Sequence, residues 1–202
     1  MRAHARNGTS LFGPNGGRKY LNAAERQRFV QSARNASPEV RLFCFVLRWS
    51  GCRISEVLAL TAAAIDIESG VANIETLKRR RRGIVRQVPL PSDLLSELDD
   101  VFGLRPRQRD PDLATRRLWR WSRTTAWRRV KEIMLAAGIV GTPAMPKGLR
   151  HGFGVNAFEA SVPPHLVQRW LGHASLRTTA IYGDVLGPEE RAFAERMWRN
   201  SP

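Results

Sequence analysis

Only two tyrosines occur in this 202-residue sequence. One of them, Tyr182, lies in the stretch LGHASLRTTAIYGD, nine positions after His173. A phenol oxygen can act as a nucleophile, and what it attacks depends on the cations brought beside it. Three separated segments offer such cations. GCRISEVLAL supplies Arg53 at the start of a helix, where the helix dipole disfavours a cation unless an anion offsets it. PKGLRHGFGVNAF supplies Lys147, Arg150 and His151, and WLGHASLRTTAIYGD supplies His173 beside Tyr182. Lys147 and Arg150 share one helix face, while His151 is expected to point about 100° away. Cutting a phosphodiester without a metal needs a side-chain nucleophile, fixed cations on the non-bridging oxygens and a proton for the departing sugar oxygen. A tyrosine, two arginines and a lysine or histidine suffice. Asp66, Glu68 and Glu75 fall in a strand-like region without a partner at metal spacing, so a two-metal nuclease is poorly supported and no metal is expected.

The charge balance points to the same class of partner. Lys and Arg number 33 against 18 Asp and Glu, a formal net charge of +15. So basic a chain favours a polyanion through phosphate neutralisation and counterion release, with nucleic acid as the first expectation. No apolar run approaches the roughly 18 residues of a membrane span, and the N-terminus lacks a signal-peptide core, so a cytoplasmic protein without membrane contact is expected. Cys44 and Cys52 have neither CxxC spacing nor a second pair, and read as reduced core residues. With 43% apolar residues the chain can bury a core of its own.

The elements that must position these groups follow from hydrophobic period and caps. Residues 1–20 are rich in Gly, Asn and Arg without an apolar period, and read as a flexible basic N-terminal arm. The remainder, 21–202, reads as one domain. NAAERQRFVQSARN and SPEVRLFCFVLRWSG carry helix starts, the second with Ser at the N-cap and Pro at the first helical position. CRISEVLALTAAAI continues as a third helix after Gly51. IDIESGVANIET and LKRRRRGIVRQVPL alternate around Gly70 and Gly83, predicting an antiparallel sheet of about three strands closed by Pro89. PSDLLSELDDVFG is helical, LRPRQRDPDLATRR reads as a Pro-broken loop, and SRTTAWRRVKEIMLAAGI is a long amphipathic helix. Short helices follow from Pro146. The fold class is mainly α with a small antiparallel β-sheet.

GCRISEVLAL, LRHGFG, LGHASLRTTAIY and the lysine of IETLKRR, in that family's order and separations, resemble the catalytic domain of tyrosine recombinases, the phage-type integrases. The resemblance runs from about Asn22 to Trp198. It implies the integrase catalytic-domain fold and a site-specific recombinase that breaks and rejoins DNA through a covalent 3′-phosphotyrosyl link, without a cofactor. Tyr182 would attack the scissile phosphate, Arg53 and Arg150 would clamp its non-bridging oxygens, and His173 would donate a hydrogen bond to it. Lys78 would protonate the leaving 5′ oxygen. Arg79, Arg80, Arg81 and Arg82 would be DNA-contacting candidates, since guanidiniums cannot readily give up a proton. Where the family usually has a histidine three residues before the second arginine, this chain has Lys147. Two roles are open to it, general base or fixed positive charge.

The resemblance further implies a tetramer on two duplexes, exchanging strands through a Holliday junction to integrate, excise or invert DNA. Only about 20 residues precede the first helix, so no separate core-binding domain is expected, and accessory DNA-binding proteins would help the grip. The amphipathic GPEERAFAERMW, with Ala192, Phe193, Met197 and Trp198 near one side, would exchange between protomers. Two rivals stand beside this reading. One is a regulator that binds DNA through a helix-turn-helix over 162–182 and cuts nothing. The other is a relaxing enzyme like the type IB topoisomerases.

Overall fold

The computed structural model describes residues 10–76, 83–184 and 188–199. Helix α1 (Ala23–Arg34) starts on a reciprocal cap: the Asn22 side chain accepts from the Glu25 N–H, and the Glu25 carboxylate accepts from the Asn22 N–H. Helix α2 (Pro38–Ser50) begins with Pro at its first position and ends at Gly51, whose φ of 63° is the left-handed conformation of a helix stop. Most of α2 is buried, and it packs on α1 and on four helices introduced below, so it is the axis of the main core.

Helix α3 (Ile54–Leu58) is shorter than the sequence pattern predicts. Beyond Leu58 the backbone leaves the helix to pair elsewhere: the Leu118 N–H donates to the Leu60 carbonyl, and Thr61 bridges Arg117. A single 3-10 turn, Ala62–Ala64, then leads into the sheet. Strands β1 (Ile65–Asp66), β2 (Val71–Glu75) and β3 (Val85–Pro89) form an antiparallel meander in that order, with Ala72 opposite Val88 and Ile74 opposite Arg86. Three strands closed by Pro89 agree with the alternation of the sequence. Ala72, Ile74 and Val88 enter the main core.

Helix α4 (Ser92–Phe102) stops at Gly103, also left-handed. The segment expected to be an irregular loop contains two short helices, α5 (Leu104–Gln108) and α6 (Pro111–Ala114). Pro111 opens α6 rather than breaking it, with Asp110 capping the N–H groups of Asp112 and Leu113. Helix α7 (Arg123–Ala136) is capped by Ser122. Then come α8 (Pro146–Glu159), α9 (Pro164–Leu171), α10 (Leu176–Ala180), a 3-10 turn at Ile181–Gly183, and α11 (Pro188–Arg199). Helices α3, α4, α7 and α8 are the four that join α1 around α2.

The expectation of a flexible arm over 1–20 is corrected where the chain is described. Residues 10–20 form a small hairpin, with the Lys19 N–H donating to the Leu11 carbonyl and Phe12 bridging Arg18. Leu11 and Tyr20 anchor it in a second apolar cluster with Phe153, Val155, Val167, Leu171 and Tyr182. Two large apolar side chains buried this way outweigh the disordering tendency of the Gly and Asn between them. Residues 1–9 lie outside the described residues. No described helix is long and apolar enough to cross a membrane. Cys44 and Cys52 are both buried and unbridged.

Candidate active site

Arg53 is the cap residue of α3, and the anion its position requires is Glu56, one turn on. The Glu56 carboxylate accepts from the Arg53 backbone N–H at 2.9 Å and from the Arg53 guanidinium at 2.7 Å. Its other cation is Arg86 of β3, which donates to the same carboxylate at 2.7 Å, to the Trp170 carbonyl at 2.8 Å and to Thr76 Oγ1 at 3.3 Å. Burial alone would raise the Glu56 pKa, but Arg86 and the Arg53 N–H hold the carboxyl below its ordinary range. One carboxylate thus ties the sheet, Arg53 and the end of α9 together. Neither Glu56 nor Arg86 is singled out by the sequence reading. The signal for Glu56 is its place three residues after the helix start, and for Arg86 the period-two alternation that puts it on the inward face with Val88.

Arg150 reaches the same region from α8. The residue is 8% exposed, and its guanidinium donates to the Gly51 carbonyl at 2.8 Å and the Leu171 carbonyl at 2.6 Å. Among the described residues no carboxylate is ion-paired with it. Burial first, and Arg53 second, draw its pKa down to about 10, so it remains charged at neutral pH. Gly51 and Leu171 are the ends of α2 and α9, so Arg150 satisfies two helix C-terminal carbonyls and takes its place from them.

Tyr182, on the 3-10 turn after α10, is fully buried. Its ring lies against the backbone of α8 at Gly154, where any Cβ would sit 2.4 to 2.6 Å from ring atoms. The His173 ring runs nearly parallel to it, at 13° with centroids 6.2 Å apart, and His173 Nδ1 lies 2.9 Å from Thr179 Oγ1. Burial pushes the Tyr182 phenol up to about 12, against the opposing pull of Arg150 and Arg53.

The expectation that His151 turns away from the site is overturned: its Nδ1 lies 3.2 Å from the Tyr182 hydroxyl. The angle of about 100° separates His151 from Arg150, whereas the phenol rests on Gly154. His151 stands three residues before that glycine, on the same flank of the helix. Burial, then the charges of Lys147, Arg150 and Lys19, lower its pKa to about 4, so the imidazole is neutral at pH 7.

Arg53, Lys147, Arg150, His173 and Tyr182 all line one cleft of about 480 Å³, together with His151, Arg123 and Trp127. Five of the six side chains to which the resemblance assigns catalysis therefore converge. The sixth, Lys78, and Arg79, Arg80, Arg81 and Arg82 lie outside the described residues. Thr76 and Ile84, which flank that segment, border a neighbouring groove that His173 also lines. Among the described residues no three His, Cys, Asp or Glu side chains are grouped as a metal site would require.

A helical body carrying a three-stranded meander, with two guanidiniums and a phenol in one cleft, is the architecture of the tyrosine recombinase catalytic domain. Residues 19–187 match the phage integrase family, and the chain belongs to it. It is 31% identical over 183 residues to the tyrosine recombinase XerA of Pyrococcus furiosus, covering 88% of this chain and 61% of that protein. It is likewise 31% identical over 172 residues to the type 1 fimbriae regulatory protein FimE of Escherichia coli K12, covering 82% of this chain and 85% of that one. The chain thus spans under two thirds of XerA but most of FimE. The crystal structure of XerA recombinase superposes with a TM-score of 0.72 at 24% identity, covering 91% of this chain and 65% of that chain. XerH recombinase bound to its difH substrate before cleavage gives 0.69 at 22%, covering 93% and 59%. These structures share the fold.

Proposed function

We propose that this chain is a site-specific DNA recombinase that cleaves and rejoins strands through Tyr182. The observation that carries the reading is the shared cleft of Arg53, Arg150 and the buried Tyr182, three groups from separate segments. A phosphodiester entering it meets Arg150, a buried cation with no carboxylate partner among the described residues, and Arg53, whose carboxylate is shared with Arg86. As Tyr182 Oη bonds to phosphorus, the P–O5′ bond breaks, leaving DNA joined to the enzyme through its 3′ phosphate. Arg53 and Arg150 offset the charge that builds on the non-bridging oxygens, and His173 adds a hydrogen bond. The 5′ oxygen takes its proton from Lys78. Attack by another strand's 5′ hydroxyl reverses the step, so no cofactor is needed. Lys147 supplies positive charge on the Arg150 face, and Arg79 to Arg82 contact DNA backbone beside the cleft.

The relative XerA is named as a tyrosine recombinase, and the similarly folded Tn1549 transposon integrase is seen in complex with transposon right end DNA, which supports DNA as the partner; we take it to be double-stranded and the setting to be cytoplasmic. The assembly we propose is a tetramer on two duplexes, with accessory DNA-binding proteins aiding the grip. Helix α11 exchanges between protomers; Met197 and Trp198 are exposed on it. Deleting residues after Gly187 is then expected to weaken multimers on DNA, and unchanged assembly in a sizing experiment with the target site would contradict the exchange.

The test uses nicked duplexes with a randomised core, which trap any covalent protein–DNA intermediate. Wild type is expected to form an adduct and Tyr182→Phe none. Binding without any adduct would leave a helix-turn-helix regulator as the reading. Relaxation of a plasmid lacking the recovered site would favour a topoisomerase.

A further inference from the structure

We propose that His151 is a catalytic residue that takes the phenol proton from Tyr182 during cleavage and returns it on rejoining. The inference rests on the strand-transfer reading of the same cleft.

A tyrosine attacking phosphorus must lose its proton, and the cleft holds two groups that could receive it. Lys147 stands in the sequence position from which a base is expected, but among the described residues no hydrogen bond joins it to the phenol. His151 Nδ1 does make that contact, at 3.2 Å, within the distance of a proton-transferring pair. The contact is fixed from both sides. Gly154 makes room on α8 for the Tyr182 ring, where a Cβ would sit 2.4 to 2.6 Å from ring atoms, and His151, one turn earlier, stands beside the hydroxyl end of the ring. The parallel His173 ring, held at Thr179, limits movement away from α8.

The charges around the pair set its direction. Lys147 and Arg150 on α8 and Lys19 from the hairpin face the imidazole, and Tyr182 meets it from the 3-10 turn. In the free protein burial first, and these cations second, keep His151 neutral, so that a ring nitrogen has a lone pair to offer. A DNA phosphate seated between Arg53 and Arg150 brings negative charge that offsets them, and the imidazole becomes more basic as the phenol begins to attack. The step balances: Tyr182 Oη bonds to phosphorus, the phenol proton moves to Nδ1, the P–O5′ bond breaks, and the 5′ oxygen is protonated by Lys78. In the reverse direction the departing phenol oxygen recovers its proton from the imidazolium. Lys147 then acts through charge alone.

Two variants test this on the nicked random-core duplexes. His151→Asn keeps an acceptor near the hydroxyl but cannot carry a proton, and His151→Ala leaves space for added imidazole. Adduct formation in a single turnover is expected to fall about 10²- to 10⁴-fold in both, with DNA affinity and far-UV circular dichroism unchanged. Imidazole should restore His151→Ala in proportion to its free-base fraction as pH is varied. A 5′-bridging phosphorothiolate, whose leaving group needs no proton, should rescue Lys78→Ala but neither His151 variant. Adduct formation within a few-fold of wild type in both variants would overturn the inference, as would rescue by the phosphorothiolate with no response to imidazole. Absence of an adduct in wild type would instead overturn the strand-transfer reading, and the inference with it.

Discussion

Two buried arginines sit a few side chains apart in this protein and are held in opposite ways. Arg86, 6% exposed, is neutralised: Glu56 takes one edge of its guanidinium, while the Trp170 carbonyl and Thr76 take others. Arg150, 8% exposed, rests on two helix-end carbonyls and keeps its charge unmatched by any carboxylate among the described residues. Burying an ion is costly unless its charge is met. In the first region the chain meets that cost from within, so the ion pair fixes structure. In the second the cost is left partly standing, and an anion from outside would relieve it. Surrounding Arg150 with His151, held neutral, and Tyr182, held protonated, the fold has gathered strained ionisations into one cleft and placed a satisfied network directly behind it.

If that contrast is right, the two arginines fail differently when removed. Arg86→Met strands the Glu56 carboxylate beside Arg53 alone, and a loss of about 3 to 5 kcal/mol in unfolding free energy is expected. Denaturant titration measures it, and restoring part of the loss with Glu56→Gln in the same chain would confirm the source. Arg150→Ala should cost cleavage more than folding, roughly 10²- to 10³-fold in the single-turnover rate, as for loss of one donor to a developing oxyanion. Were Arg150→Ala chiefly to unfold the protein while Arg86→Met spared stability, the contrast would be broken. Gly154→Ala sharpens it: the added methyl meets the Tyr182 ring at under 3 Å, so an overpacking penalty of about 1 to 3 kcal/mol is expected along with slower cleavage.

A further effect is in pH dependence. His151 falls from its ordinary 6.5 to about 4 on folding, so between those values the unfolded chain binds a proton that the folded one refuses. Stability is then full above pH 6.5, declines as pH falls toward 4 and levels off below it. Tyr182, raised from 10 to about 12, does the converse, its contribution being lost as pH rises through that window. Comparing wild type with His151→Asn across pH 4 to 7 by chemical denaturation should show the acid-side decline shrinking in the variant.

Much of this was legible in the sequence where local rules act alone. The period of α2, its Pro start and Gly51 stop, and the alternation of β2 and β3 needed no tertiary knowledge. Helix α3 was overestimated because propensity continues past Leu58, while the backbone is drawn off by pairing with residues 117 and 118. Arg86 was hidden among five other arginines and lysines in LKRRRRGIVRQVPL, distinguishable only by strand phase once the register with β2 is known. The place of His151 is not legible from its helical angle to Arg150, because the phenol lies on Gly154, a contact only the tertiary fold sets. Leu11 and Tyr20, too far apart to show a period, gave no sign of the hairpin they anchor.

The most direct measurement digests the trapped protein–DNA adduct with trypsin and sequences the DNA-linked peptide by mass spectrometry. The chain has only two tyrosines, which makes the outcome unambiguous. The nucleotide phosphate is expected on the peptide spanning 178–191, attached at Tyr182 through the DNA 3′ end. A linkage at Tyr20, at a serine or through a 5′ phosphate would contradict the account.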